Sequence, residues 1–303
     1  MSIVKRILFP ILFFSFLSLT SLAAKTKIER LEPEFWWIGM ENPNLQLLIY
    51  GQEIGDYKAA LDYPGVTIQS VQNVENVNYL FVNLQIDKSA KAGKFDITLT
   101  NSKGKELKYQ YELKERRKNS SNRKGFNSSD VIYLLMPDRF ANGNPENDSV
   151  DGLTEKADRA NFDGRHGGDI QGIINKLDYL QDLGITTLWS TPLLEDNEKR
   201  GSYHSYAISD YYNVDARYGG NEAYLKLSKE CKKRGIKLIK DMVFNHCASA
   251  HWWMKDLPQK DWFIFMMNTQ TPITVNQPYW IHMLLKWIKS NFRMAGSIKA
   301  CRI

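Results

Sequence analysis

Three groups of residues in this chain have types and spacings that could do chemistry. The first is Asp241-Met-Val-Phe-Asn245-His246, which ends an alternating, β-rich run that starts at Ile236. A carboxylate, an amide and an imidazole together can both accept and donate hydrogen bonds. With a period of two, Asp241 and Val243 share one strand face, while Asn245 and His246 run into the following loop. A structural histidine would look the same in isolation, but this one stands at a strand's end beside two polar groups. The second group is Ser202-Tyr203-His204-Ser205-Tyr206, followed by Asp210-Tyr211-Tyr212. Rings beside hydrogen-bonding groups suit a sugar, with its apolar C–H faces and hydroxyl rim; an aromatic loop packed on its own domain gives the same string. The third is Asn142-Gly-Asn144-Pro-Glu-Asn147-Asp148, with Gly167-Gly168-Asp169 further on. Oxygen ligands at such short spacing suit Ca²⁺, although the spacing is not that of an EF-hand. A generic Asn/Gly/Pro/Asp turn is the other reading of the same residues.

The elements that would position these groups alternate strand and helix from Asp130 onward. Val131-Ile-Tyr-Leu-Leu-Met136 is a continuous apolar run ended by Pro137, as expected of a strand buried on both faces. A long polar loop follows, from Asp138 to about Gly168. Between Asp169 and Leu183, Ile170, Ile173, Ile174, Leu177, Leu180 and Leu183 fall at helical spacing, and Gly184 closes the helix. Ile185-Thr-Thr-Leu-Trp-Ser190 reads as a second strand. Asn221 opens a second helix that stops at Gly235, and Ile236 begins the third strand. Strands separated by helices and long loops predict a parallel sheet with functional residues at the strands' C-terminal ends.

The chain has 303 residues, a length that suits about two domains. Its net charge of +6 raises the possibility of a polyanion partner. However, residues 1–24 and 262–303 contribute cations and no acids, which leaves the body near neutral, so no nucleic-acid partner is expected. Residues 1–24 read as an export signal. Lys5 and Arg6 precede an apolar core from Ile7 to Leu22, with small residues at Ala23-Ala24, and the alternative is an uncleaved membrane anchor. Cleavage would place the mature chain in the periplasm or outside the cell. Cys231, Cys247 and Cys301 are odd in number and unclustered, which gives neither a disulfide framework nor a zinc pattern.

Residues 25–113 read as a small all-β sandwich. Leu45–Tyr50, Tyr79–Gln85, Phe95–Thr100 and Leu107–Leu113 are its four clear strands, with glycines between them. Phe35-Trp36-Trp37 is either a sugar-stacking cluster or part of the sandwich core. Residues 114–129 are charged and rich in Ser and Asn, and read as a linker.

With these motifs in place, the chain resembles the α-amylase superfamily of glycoside hydrolases. In particular it resembles the neopullulanase/cyclomaltodextrinase/maltogenic-amylase group, which carries an extra N-terminal β-sandwich. The resemblance covers residues 25 to about 263. The D-x-x-x-N-H signature at the end of barrel strand three stands here as Asp241, Asn245 and His246. The H-G-Y motif stands as His204-Ser205-Tyr206, with Ser205 where the family usually has glycine. The resemblance implies that His204 and His246 contact one glucose unit, that Tyr206 stacks on it, and that Asp241 and Asn245 organise the site. It implies a structural calcium held by Asn142, Asn144, Asn147, Asp148, Gly167 and Asp169; position 144 is often Asp in relatives. It further implies an α-glucan substrate, no redox cofactor, and in intact relatives a homodimer.

Retaining glycosidases need a carboxylate nucleophile and a carboxylic acid/base. In the family these follow strands four, five and seven, and residues 262–303 contain no Asp or Glu. The expected architecture is therefore a sandwich plus the first three β/α units of a (β/α)8 barrel, since residues 130–263 are about half of the ~250 a full barrel uses. The chain is expected to be a C-terminally truncated glycosidase with no catalytic residues of its own, and an open sheet edge and an apolar face should be exposed. Residues 264–303 are expected to be unrelated to the barrel. In that tail Trp280, Ile281, Leu284, Leu285, Ile288 and Phe292 fall at helical spacing opposite Lys286, Lys289 and Arg293, which suits a membrane surface. The loss of every acid where the resemblance ends favours the other reading, an out-of-frame translation. A non-catalytic glucan-binding or membrane-associated protein is the second functional reading.

Overall fold

The computed structural model describes residues 27–122 and 125–262. The export signal expected at 1–24 and the tail at 264–303 lie outside the described residues. The chain divides into two units, one drawn mainly from the residues before Leu113 and the other from Lys114 onward.

The first unit is a β-sandwich of eight strands. They are β1 (Arg30–Glu32), β2 (Phe35–Trp37), β3 (Asn44–Tyr50), β4 (Lys58–Leu61), β5 (Val66–Asn73), β6 (Tyr79–Ile86), β7 (Gly93–Thr100) and β8 (Glu106–Lys114). One sheet runs β1-β3-β6-β5 and the other β2-β8-β7-β4, and the pairs β1–β3, β3–β6, β5–β6, β4–β7 and β7–β8 are antiparallel. Alternation explains the core. Phe95, Ile97 and Leu99 of β7 point inward and are buried, while Lys94 and Asp96 face water. Leu47, Ile49, Leu80, Val82, Leu84 and Leu113 complete that core. The four strands expected from sequence are β3, β6, β7 and β8. Those not foreseen are short or polar: β1 and β2 have three residues each, and β5 reads V-T-I-Q-S-V-Q-N with a register shift between Ile68 and Ser70.

The second unit holds a parallel sheet of three strands, β9 (Ile132–Leu135), β10 (Thr187–Ser190) and β13 (Lys237–Lys240), in the order β13-β10-β9. Trp189 pairs with Leu134 on one side and Ile239 on the other. Below the sheet lie α2 (Ile170–Asn175), α3 (Leu177–Asp182) and α4 (Gly220–Lys233). Leu135 and Leu188 pack there with Ile170, Ile173, Leu177, Leu180, Leu227 and Cys231, all buried. Each fully buried Leu or Ile contributes roughly 2 kcal/mol. The helix predicted from Asp169 to Leu183 is two helices, parted at Lys176, where φ is −111° and ψ is 7°. Asp169 caps α2 by accepting from Gly172 N at 2.6 Å. A short helix α1 (Pro137–Phe140) follows β9. A two-stranded ribbon, β11 (Leu194–Glu195) with β12 (Asp210–Val214), folds the segment after β10, which sequence periodicity leaves as plain loop. The opposite face of the sheet exposes Ile132, Leu134 and, in part, Trp189 among the described residues.

Candidate functional site

The end of β13 and the loop after β10 meet around Asp241. Asp241 is the first residue past β13, two beyond Ile239, and so shares a face with it. Its Oδ2 accepts from Trp189 Nε1 at 3.1 Å and from Tyr206 OH at 3.2 Å. His204 Nδ1 accepts from Tyr206 N at 3.0 Å, which leaves the proton of the neutral ring on Nε2. Burial holds the His204 imidazolium below its ordinary range, against an opposing pull from Glu155. Burial, with the Asp241 charge adding to it, raises the Tyr206 phenol. The Tyr206 side chain nevertheless stays open, at 39% exposure.

His246 is more tied than the sequence suggests. Its Nε2 lies 3.0 Å from the Tyr206 carbonyl, which can only accept, so Nε2 donates. Its Nδ1 faces Asn245 Nδ2 at 3.3 Å, and its own carbonyl accepts from Tyr211 OH at 2.6 Å. The structure thus brings His204, Tyr206, Asp241, Asn245 and His246 together, with both ring nitrogens of His246 engaged inside the protein. A sugar contact by that ring requires one of these bonds to be exchanged.

A buried charged framework holds the loop that carries His204 and Tyr206. Asp215 and Arg217 pair twice, Nε to Oδ1 at 2.9 Å and Nη2 to Oδ2 at 2.6 Å. Arg217 also donates to the carbonyls of Glu155 and Asp196. Asp196, fully buried, accepts from Glu198 N and Ala207 N and so clips both ends of the loop. Its burial pushes the carboxyl up to about 6, offset in part by those two N–H donors and by Arg217. The Glu155 carboxylate accepts from Gly201 N and Ser202 N. Arg165 donates to the Ser202 carbonyl at 3.0 Å and lies over the Tyr218 ring, 4.9 Å from its centroid. Ser205, at φ 60°, is fully buried and bonds the Tyr218 hydroxyl at 3.0 Å. Sequence reading missed this framework. Its one local signal is Asp215-x-Arg217, where a spacing of two suits an Asp side chain that caps the following turn.

The Asn-rich loop forms a separate cluster. Asn142 Nδ2 donates to both Asp148 oxygens, at 2.7 and 3.0 Å. The side-chain oxygens of Asn142 and Asn147 are buried and have no hydrogen-bond partner. Gly167, at φ 85°, sits so close that a Cβ would stand 2.6 Å from Asp148 Oδ1. Asn144 and Asp169 serve the backbone. Asn144 Oδ1 accepts from Glu146 N, and Asp169 accepts from Gly143 N, Asn144 N and Gly172 N. No group of three His, Cys, Asp or Glu suited to a metal occurs among the described residues. The donors of this loop are mostly amide and carbonyl oxygens, the kind that hard cations take. Two orphaned buried amide oxygens beside a carboxylate fit such an ion, whereas Asp169 is largely committed to the backbone.

Comparison with known proteins places both units. Residues 134–291 match the α-amylase catalytic-domain model and residues 30–117 match the cyclomaltodextrinase N-terminal model. The first match includes much of the 264–303 stretch expected to be unrelated, which lies outside the described residues. Neopullulanase 2 of Thermoactinomyces vulgaris is 39% identical over 142 residues, 44% of this chain and 23% of that protein. The cyclomaltodextrinase of Thermoanaerobacter pseudethanolicus is 36% identical over 140 residues, 44% of this chain and 24% of that protein. A crystal structure of an Anoxybacillus α-amylase is 34% identical, with a TM-score of 0.42, covering 53% of this chain and 38% of that one. The chain thus spans about a quarter of the length of the curated relatives it matches. It has a β-sandwich followed by part of a barrel-type catalytic domain, and it belongs to the α-amylase family.

Proposed function

We propose that this chain binds α-glucan at the Asp241 cluster and does not itself hydrolyse it. One observation carries the binding half. His204 Nε2–H, the free Oδ1 of Asp241 and the exposed Tyr206 ring offer a donor, an acceptor and an apolar face on neighbouring elements. These are the three features a glucose unit needs. In the intact reaction of the family, retaining cleavage of α-1,4 and some α-1,6 bonds, such a site would hold the sugar next to the broken bond while two carboxylates act on it. Asp138, which follows β9, is buried and satisfied by His166 N, Gly167 N and Arg139. Among the described residues the groups that hydrogen-bond the Asp241 carboxylate are Trp189 Nε1 and Tyr206 OH, and residues 262–303 contain no Asp or Glu.

Support for calcium comes from Asn142 and Asn147, whose buried oxygens lack partners, together with Asp148, against which Gly167 packs closely. The ion's contribution would be structural: it would neutralise Asp148 and join the loop after β9 to the start of α2.

The test of the binding claim is electrophoresis of the purified chain through starch-containing gels, paired with a reducing-sugar assay on pullulan and maltodextrin. Retardation without product is the expected result. Product release overturns the inactive reading, and absence of retardation overturns the binding site.

A further inference from the structure

Asp241 is held by one oxygen only. Trp189 Nε1 and Tyr206 OH both reach Oδ2, from two different elements, β10 and the loop after it. Among the described residues nothing donates to Oδ1. The register places Trp189 opposite Ile239, and Asp241 lies two residues on, so the indole and the carboxylate share a sheet face. An aspartate carboxylate turns broadly about its last torsion. Two donors on Oδ2 fix that torsion and leave Oδ1 as the open acceptor.

The two donors are not equivalent. The Tyr206 hydroxyl both donates and accepts, and its ring is a face on which a sugar would stack, so a ligand can pull it away. The indole N–H only donates, and it hangs from a strand set in register between β9 and β13. We infer that Trp189 is a positioning residue of the glucan site: its N–H orients Asp241 so that Oδ1 accepts from a sugar hydroxyl. This rests on the glucan-binding reading above. The competing role is simple filling of the apolar face beside Leu134.

A double-mutant cycle in the full chain separates the two. Trp189→Phe keeps a ring on the sheet and removes the N–H. Affinity for maltoheptaose, read by NMR titration to reach weak binding, is expected to fall about fivefold in W189F, or about 1 kcal/mol. In the D241A background the same change has no further effect. An equal loss in both backgrounds, or no loss in wild type, overturns the inference. A second readout needs no ligand: the indole ¹⁵N–¹H resonance that disappears in W189F must move in D241A. A resonance that stays put overturns the Trp189–Asp241 bond even where glucan binds. Failure of wild type to bind maltoheptaose while that resonance still moves overturns the glucan site, and with it this role for Trp189, but leaves the hydrogen bond standing.

Discussion

Ser205 shows how one side chain can change the cost of a motif. It sits at φ 60°, a region where a side chain costs roughly 1 kcal/mol, yet its buried hydroxyl bonds Tyr218. Ser205→Ala keeps the strain and loses the bond, and is expected to destabilise the chain by about 1–2 kcal/mol. Ser205→Gly loses the bond but relieves the strain, and Tyr218 OH still donates to the Tyr203 carbonyl at 2.9 Å, so its cost should stay within about 1 kcal/mol. Urea titration of both variants checks the order; a glycine variant less stable than the alanine variant contradicts it. Asp196 gives a pH-dependent case. Its folded pKa of about 6 lies above the unfolded value, so its contribution to stability is complete below the unfolded pKa, near 4, and is lost as pH rises through about 6. Ionised and buried at pH 7.5, it costs on the order of 3 kcal/mol. Asp196→Asn removes that charge. The stability of wild type relative to D196N should therefore fall between pH 4.5 and pH 7.5, and a constant difference across that range rules the assignment out.

At the scale of elements, the loop between β9 and α2 is where a metal would act. Its polar atoms are brought together by Asp148, Gly167 and the Asp169 cap, and two of its amide oxygens remain unmet. Calcium added after chelation is expected to raise the melting temperature by several degrees, as a ligand of the folded state does. Gly167→Ala, with its Cβ driven against Asp148 at φ 85°, should lower the melting temperature and remove the calcium response. An unchanged melting temperature for wild type with and without calcium counts against the ion. Much of the element pattern was legible in the chain. The runs at Val131, Ile185 and Ile236 became β9, β10 and β13 because short β-rich segments bounded by Pro or Gly leave few alternatives. The β11–β12 ribbon was not legible, because β11 has two residues and β12 is mostly tyrosine and polar side chains. Periodicity also ran one helix through Lys176, since the apolar stripe continues in phase across the break between α2 and α3.

For the molecule as a whole, the sequence motifs located the residues of the site but not their bonds. Asp241 and His246 from one string and His204 and Tyr206 from another come together in the structure. The role of Trp189 depends on β10 and β13 aligning Trp189 with Ile239, a register that sequence alone does not specify. Both nitrogens of His246 are engaged for the same reason, through a contact forty residues away in the chain. The exposed Ile132 and Leu134 agree with the expected open apolar face, which a three-stranded parallel sheet cannot close over itself. The proposed function has this chain hold an α-glucan at the Asp241 cluster without hydrolysing it. The most direct measurement is to incubate the purified chain with maltodextrin and read both retardation in starch gels and reducing ends released. Retardation with no new reducing ends is predicted. Reducing ends that accumulate in proportion to protein, and that vanish when Asp241 is replaced by Ala, would contradict it.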